Sequence, residues 1–360
     1  MMWKPNWEET QRHILDWWNR EGLLIGMWDA PQTRKVPHEP VAPAALPESI
    51  RQQYTDFRSR ARRNHYRMAH TDFAADILPV CDTDIGPGSL ALYLGCHADF
   101  AQGTVWCEPC LHEVDDPEEL PPFRFDPSNE WWQLTENTLK ACVELGQGKY
   151  LTGCPDLLEN IDILSALRSP QVLMMDMLEF PEWIEKSIRE INQVWFEAYE
   201  RIYDIIKLED GSSTFGAFRV WGPGKTAKVQ CDASAMFSPE MYRKFVVPAL
   251  SEQCRWLDNS LYHLDGTQAI CHLDAILEIE PLDAVEWTPQ AGIENGGHPR
   301  WYDLYQKILG AGKSVQVVGV EPDEVIPLLD AVGGRGVYVL ANFTSPEQAA
   351  SIVKQAAQFR

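Results

Sequence analysis

Short apolar runs alternate with amphipathic segments along most of the chain, and this alternation predicts a series of strand and helix pairs. The runs predicted to be strands are 75–80, 104–108, 149–153, 214–221, 260–265, 284–287, 314–320 and 337–342. The segments with helical periodicity are 131–146, 181–208, 239–257, 268–278, 301–310, 322–331 and 346–358. Repeated strand–helix units imply a parallel sheet, so the pattern predicts an α/β fold, specifically a (β/α)8 TIM barrel.

The first 70 residues follow a different pattern. Residues 7–20 have helical spacing with a tryptophan-rich apolar stripe, and LLIGMWDAP then reads as a short extended segment. A proline-rich loop leads into an arginine-rich helix over 47–68, whose charge suggests a solvated face or a subunit contact. We therefore predict an N-terminal helical extension, residues 1–70, packed on a barrel formed by residues 71–360.

Composition narrows the class of protein. The formal net charge of −22 argues against nucleic acid as a partner, because such binders need clustered lysine and arginine. No apolar stretch is long enough to span a membrane, and the first residues contain acids where a signal peptide would be apolar. Nine cysteines, an odd number, fit a reducing compartment. We expect a cytoplasmic protein with a small-molecule substrate and no membrane partner.

The segment SLYHLDG, residues 260–266, contains the first candidate for chemistry. In a β-strand, residues two apart share a face, so His263 and Asp265 would lie side by side. An imidazole beside a carboxylate at a strand end can bind a metal or move a proton. The alternative is a histidine that a neighbouring acid holds in place for structural reasons.

Other predicted strands also carry polar residues near their carboxyl ends, where barrel enzymes place their active sites. The outer face of a barrel strand packs on helices, so the polar member of each alternation is expected to face inward. Buried charges need partners, which favours a shared site. The candidate catalytic residues on this argument are Arg219, His263, Asp265 and Glu286. The candidate substrate-binding residues are Trp106, Trp221, Gln230, Trp287, Gln316 and Asn342.

Several motifs resemble those of one known superfamily. Gly153-Cys-Pro155 precedes a helix, CDASAMFSPEMYRKFVVPAL covers 231–250, and YHLDG, LDAVEW and residues 339–353 follow. Together they resemble the uroporphyrinogen decarboxylase-like superfamily, which includes corrinoid and coenzyme M methyltransferases and is related to cobalamin-independent methionine synthase. The resemblance covers about residue 76 to residue 360. It implies a (β/α)8 barrel and a homodimer.

The chain also departs from that superfamily. The methyltransferases bind zinc through a histidine and two cysteines, whereas here His263 is followed by Asp265, and Asn342 stands on the last strand. The resemblance therefore implies zinc or another divalent metal held by His263, Asp265 and Glu286. Asp76-Ile-Leu78 resembles the SDIL motif of the decarboxylases, which makes Asp76 a further catalytic candidate. Their arginine-rich segment is absent, so the chain resembles a divergent subgroup that does not decarboxylate uroporphyrinogen.

Three hypotheses follow. The first is an enzyme that transfers a methyl group from a small methylated compound to a corrinoid protein or a thiol. The second is a lyase, such as a decarboxylase of a small organic acid, with Asp76, His263 and Arg219 as working groups. The third is a barrel that binds a ligand without turnover.

Overall fold

The structure, a computed structural model, describes residues 3–360 and has a mixed α/β fold. The strands are β1 Leu23–Gly26, β2 Val80–Cys81, β3 His97–Ala101, β4 Thr104–Glu108, β5 Leu151–Thr152, β6 Ser213–Phe215, β7 Val220–Gly222, β8 Thr226–Gln230, β9 Asn259–Asp265, β10 Ala284–Thr288, β11 Ser314–Val320 and β12 Val337–Ala341. The helices are α1 Trp7–Trp18, α2 Ile50–Thr55, α3 Phe57–Ala69, α4 Ser89–Tyr93, α5 Glu130–Gly146, α6 Asn160–Arg168, α7 Pro170–Glu179, α8 Pro181–Ile206, α9 Pro239–Met241, α10 Val247–Trp256, α11 Gly266–Ala269, α12 Leu273–Leu277, α13 Tyr302–Gly310, α14 Val325–Val332 and α15 Pro346–Ala356. In residues 3–360, no helix is both long and apolar enough to cross a bilayer.

The main sheet has six parallel strands in the order β1-β12-β11-β10-β9-β8. Its register places a row of polar side chains on one face, because residues paired across parallel strands point the same way. The row consists of Gln230, His263, Glu286, Gln316 and Tyr338. The opposite face of these strands, with residues such as Val285 and Val317, packs into the hydrophobic core.

The remaining strands form small separate units. β2 and β5 are a parallel pair, whereas β3–β4 and β6–β7 are antiparallel hairpins. Backbone hydrogen bonds connect these units to the rest of the fold. The Asp76 amide, before β2, donates to the Ile25 carbonyl at 2.8 Å. The Cys154 amide, after β5, donates to the Thr214 carbonyl at 2.7 Å, and the Cys154 carbonyl accepts from the Gly216 amide at 3.2 Å. The predicted α/β class is confirmed, while a closed barrel is not established by this pairing.

Some predicted elements differ from the structure, and other elements were not predicted. The predicted strand 104–108 lies in an antiparallel hairpin and not in the main sheet. The predicted strand 214–221 is two strands, because Arg219 adopts a left-handed conformation at φ 52° and the chain turns back. The sequence prediction also missed β8, since Lys228 interrupts the apolar pattern of TAKVQ, and it missed the helices α6 and α7.

The N-terminal segment is joined closely to the rest of the molecule. β1 pairs with β12 over four residues, so part of the first 70 residues lies within the main sheet. The division of the chain at residue 70 stays a prediction. Asp76, which is 1% exposed, connects this segment to the chain that follows. Its carboxylate accepts hydrogen bonds from the Ile25 amide at 3.1 Å, His13 Nδ1 at 2.8 Å and Arg360 Nη2 at 2.9 Å.

Replacement of Asp76 tests this connection. In Asp76→Asn, an amide N–H would face donors that now meet a carboxylate oxygen, so we expect a loss of about 2–4 kcal/mol in the free energy of unfolding. Urea denaturation followed by circular dichroism measures the change. Asp330→Asn, on an exposed position of α14, is the control and should change stability by less than about 0.5 kcal/mol. Equal stability of the two variants would contradict the structural role of Asp76.

Candidate functional site

His263 and Glu286 form the centre of the site. They are register partners on β9 and β10, and His263 Nδ1 donates a hydrogen bond to Glu286 Oε2. Glu286 is fully buried, and its other oxygen accepts from Thr288 Oγ1 at 2.5 Å. Burial alone would lower the pKa of His263, but the Glu286 carboxylate outweighs it and raises that pKa. Because Nδ1 is engaged, Nε2 is the imidazole atom left for another partner.

Two aspartates complete a cluster with His263. One ligand atom each from Asp232, His263 and Asp265 lie within 4.8 Å of one another. Asp265 ends β9 just before Gly266, whose φ of 74° lets the chain turn sharply. An imidazole and two carboxylates at this spacing could hold a divalent cation. Glu286 lies behind the imidazole, in the position of a residue that orients a metal-binding histidine.

Sequence reasoning missed Asp232. It follows β8 directly and begins a short 3-10 turn, Asp232–Met236. Its backbone amide donates to Asp162 Oδ2 at 2.9 Å. Desolvation of its carboxyl group by the surrounding protein, and then the Asp162 carboxylate, raise the pKa of Asp232 to about 7, although the residue as a whole is exposed. The available signal was its position at the carboxyl end of a strand, but that strand was not recognised.

A buried lysine lies next to this cluster and was also missed. Lys228 Nζ donates to Asp156 Oδ1 at 2.7 Å and to the side-chain oxygen of Gln230. Glu159 and Asp162 are nearby and buried. Burial raises the pKa of Glu159 well above its usual value, although Lys228 opposes this shift. Burial would lower the pKa of Lys228, but the Asp156 carboxylate and its neighbours raise it, so the lysine keeps its charge.

Two of the three predicted polar binding residues lie beside this site. Gln230 is the register partner of His263, and Gln316 is the register partner of Glu286. The Gln316 amide donates to the Phe218 carbonyl at 2.9 Å, and the Phe218 ring lies 4.7 Å from the imidazole ring of His263. Asn342 is exposed, and its amide donates to Glu321 Oε1 at 2.8 Å, which holds it away from this row.

The three predicted tryptophans have other contacts. Trp221 is buried and lies 5.5 Å from Trp7 of α1, ring to ring. Trp287 follows the inward-facing Glu286, so it points to the other face of the sheet, where it packs 4.9 Å from Trp301. Trp106 is 58% exposed on the β3–β4 hairpin. The structure does not bring these indoles to His263.

Two predicted catalytic residues also have structural partners elsewhere. Arg219 donates to the Trp28 carbonyl at 2.5 Å and to Asp29 Oδ1 at 3.2 Å, so it holds the chain that follows β1. Asp76 lies before β2 and is occupied by the contacts described above. The acids that directly follow the carboxyl end of β2 are Asp82 and Asp84.

A cavity of about 460 Å³ opens between α3, the loop after β2 and the β3–β4 hairpin. Arg60, Arg63 and Asn64 of α3 line it on one side, and Asp156 and Ala217 line it elsewhere. Arg60 is only 7% exposed. Arg60 and Arg63 therefore face this cavity, and the expected solvated face or subunit contact of this helix stays a prediction.

The comparisons with known proteins are consistent with the fold. One similar solved structure is a methyltransferase from Methanosarcina mazei, with a TM-score of 0.58 and 12% sequence identity. The match covers 97% of this chain and 98% of that one. At this identity the likeness shows a shared fold. No protein-family model and no curated protein matches the chain.

Replacement of Lys228 tests the electrostatic balance of the site. Lys228→Met would leave buried carboxylates without their cation. We therefore expect the free energy of unfolding at pH 7, measured by urea denaturation, to fall by about 3–5 kcal/mol. The loss should shrink as the pH falls, because removing Lys228 takes away the cation that opposes the raised pKa of Glu159, so this acid takes up its proton at a higher pH in the variant than in the unmodified protein.

Two further variants serve as controls for Lys228→Met. Lys354→Met, at an exposed position of α15, should be within about 0.5 kcal/mol of the unmodified protein. The double variant Lys228→Met/Asp156→Asn removes one charge of each sign and should recover part of the loss. If the loss of unfolding free energy did not change with pH, or if the double variant recovered none of it, the pairing of Lys228 with the buried carboxylates would be contradicted.

Proposed function

We propose that this protein is a metal-dependent methyltransferase that takes a methyl group from a small methylated compound. The observation that carries the proposal is the cluster of Asp232, His263 and Asp265, with Glu286 behind the imidazole. The donor set fits a divalent metal, because Nε2 is left free on His263 and two carboxylates lie within 4.8 Å. Zinc and manganese are both compatible with one nitrogen and several oxygen ligands.

The position of the cluster supports a catalytic role. His263 and Asp265 lie in the carboxyl-terminal half of β9, and Asp232 comes just after β8, so all three lie toward one edge of the parallel sheet. That edge is where α/β enzymes bind their substrates. We further propose that the sheet closes into a (β/α)8 barrel of the uroporphyrinogen decarboxylase-like type. The motifs at 153–155 and 231–250 support this assignment, and the full-length likeness to a methyltransferase supports a shared fold.

The residues of the site would have distinct tasks. A bound metal would act as a Lewis acid that polarises the group carrying the methyl or lowers the pKa of an acceptor thiol. Glu286 would hold the imidazole with Nε2 toward the metal, and Phe218 would cover its ring and exclude water. Lys228 would place a fixed positive charge beside the reacting groups.

The reaction is balanced for either acceptor. With a thiol, the new sulfur–carbon bond forms as the bond between the methyl carbon and its leaving group breaks, and the thiol proton ends on the leaving group. With a corrinoid, the cobalt(I) centre supplies the electron pair for the new bond, and a proton from solvent neutralises the leaving group. We propose a corrinoid protein or a thiol as acceptor, in a cytoplasmic homodimer.

The contacts of Asp76 and Arg219 weaken the lyase hypothesis. Two of its three working groups, Asp76 and Arg219, are engaged with β1 and the segment that follows it. The hypothesis of a barrel that binds without turnover assumes the same metal-binding side chains. It differs from methyl transfer only in the expected outcome of an activity assay. Methyl transfer is therefore the proposal to test first.

Metal binding gives the first test. Protein stripped with a chelator and titrated with Zn²⁺ or Mn²⁺ in a calorimeter should bind about one ion per chain. His263→Ala and Asp265→Asn should abolish this binding, and Glu286→Gln should weaken it by about 10–100-fold. His112→Ala, whose side chain is 49% exposed, is the control and should bind normally. Retention of full affinity in His263→Ala would exclude the site.

Methyl transfer gives the second test. Metal-loaded protein is incubated with methylated ethers, thioethers and amines, and with either a thiol or chemically reduced cobalamin as acceptor. Methylated acceptor, detected by mass spectrometry, should form with the unmodified protein and His112→Ala. His263→Ala should lose at least about 100-fold in rate. Carbon dioxide release from small acids without methyl transfer would favour the lyase, and tight binding without any product would favour the non-catalytic barrel.

A further inference from the structure

Arg60, a buried arginine that lines the cavity beside α3, has one nitrogen without a hydrogen-bond partner among residues 3–360. Arg60 Nη2 donates to the Asp84 carbonyl and lies 3.7 Å from Asp82 Oδ1. Arg60 Nη1 is buried and has no hydrogen-bond partner among residues 3–360. A buried guanidinium nitrogen without an acceptor is costly, and a ligand oxygen in the cavity would remove that cost.

Neighbouring groups on α3 add donors on the same wall. Arg63 and Asn64 follow Arg60 by three and four residues, so the three side chains share one face of the helix, and all three line the cavity. Arg63 Nη1 donates to Ser59 Oγ at 3.0 Å and Arg63 Nη2 donates to the Gln53 carbonyl at 2.6 Å, and these two bonds fix the direction of its guanidinium group. The wall formed by α3 therefore presents two oriented guanidinium groups.

The acidic residues that line the cavity already have ion-pair or hydrogen-bond partners within the protein. Asp156 is paired with Lys228 at 2.7 Å. Asp84 accepts a hydrogen bond from the backbone amide of Asp156, and its pKa is raised by burial and by the nearby carboxylates of Asp82 and Asp156. Asp82 lies beside Arg60 with 48% of its side chain exposed. These contacts leave Arg60 Nη1 as a nitrogen of this wall that has no acceptor among residues 3–360.

Two residues that line the cavity are connected to residues near the metal cluster. Ala217 lines the cavity, and the next residue, Phe218, packs its ring 4.7 Å from the ring of His263. Asp156 also lines the cavity and is bonded to Lys228, which belongs to the same strand as Gln230. A volume of about 460 Å³ is in the range of small-molecule sites.

From this arrangement we propose that the substrate carries a carboxylate, which Arg60 and Arg63 bind at the α3 wall while its methylated end extends toward His263. The substrate class is thus a small methylated organic acid, either a zwitterion or a simple anion. This deepens the proposed methyl transfer and rests on it, but the binding of the carboxylate can be measured without turnover.

The test compares pairs of probes that differ in the anionic group alone. N,N-dimethylglycine and methoxyacetate are titrated against the metal-loaded protein, each beside its primary amide, which lacks the carboxylate, and binding is followed by calorimetry. The carboxylates should bind at least about tenfold more tightly than the amides, because the charge-assisted hydrogen bonds are lost with the anion. Equal affinities within each pair, including no binding of either member, would overturn the proposal.

Variants of α3 show which residues cause the preference for a carboxylate over an amide. Arg60→Lys should reduce carboxylate affinity by about tenfold and leave amide affinity unchanged, because lysine keeps the charge but loses the planar fork. Arg63→Lys is the second variant, for use if Arg60→Lys does not fold as judged by circular dichroism. Arg62→Lys, at an exposed position of the same helix, is the matched control. The same affinity in Arg60→Lys, Arg63→Lys and Arg62→Lys would overturn the assignment.

The outcome is separable from that of the proposed function. His263→Ala should keep the preference for carboxylate over amide even though it loses methyl transfer. Turnover of neutral methylated compounds with no effect of Arg60→Lys or Arg63→Lys would overturn the carboxylate site and leave the methyltransferase intact.

Discussion

The pairing of a fully buried carboxylate with an imidazole is the constraint on which the site depends. Glu286 is completely enclosed on a central strand, and an unpaired charge in such a place would be very unfavourable. The register of β9 and β10 brings His263 alongside it, so that the acid has a partner. The same contact fixes which imidazole nitrogen remains available, and one ligand atom each from Asp232, His263 and Asp265 lie within 4.8 Å of one another.

Buried charges also need partners on β8, the strand next to β9. Lys228 is buried on β8, and the acids that offset it come from the loop after β5 and the start of α6. Burying three acids around one lysine raises the pKa of Glu159 and Asp162, and it leaves a site with strong local fields. Such an arrangement costs stability, which is typical of functional sites. A sheet that served only to stabilise the fold would carry apolar residues at these positions.

The sequence was sufficient to locate part of this site. Alternation along SLYHLDG and LDAVEW correctly pairs His263 with Glu286 on one face, because the period of a strand is fixed. By the same rule Trp287 had to face away from Glu286, and the structure places it against Trp301. Pattern reasoning also assigned the α/β class, since repeated strand and helix units have few solutions.

The parts of the fold and of the site that the sequence did not predict depend on contacts that local sequence patterns do not encode. β8 was missed because a lysine within five residues removes its apolar signature, and with it Asp232 was missed. Asp76 resembled a catalytic aspartate in sequence, but its partners His13 and Arg360 are separated from it by 63 and 284 residues. The face of α3 that lines a cavity could not be recognised either, because a solvated helix and one beside a polar cavity have the same composition.

The most direct test of the central claim is a crystal structure of the protein grown with Zn²⁺ or Mn²⁺, with data collected at the absorption edge of the metal. We expect an anomalous difference peak bounded by His263 Nε2 and the carboxylates of Asp232 and Asp265, with Glu286 bonded to the imidazole from behind. A peak coordinated by other residues, or a map with no peak at His263 when the metal is in excess, would contradict the account.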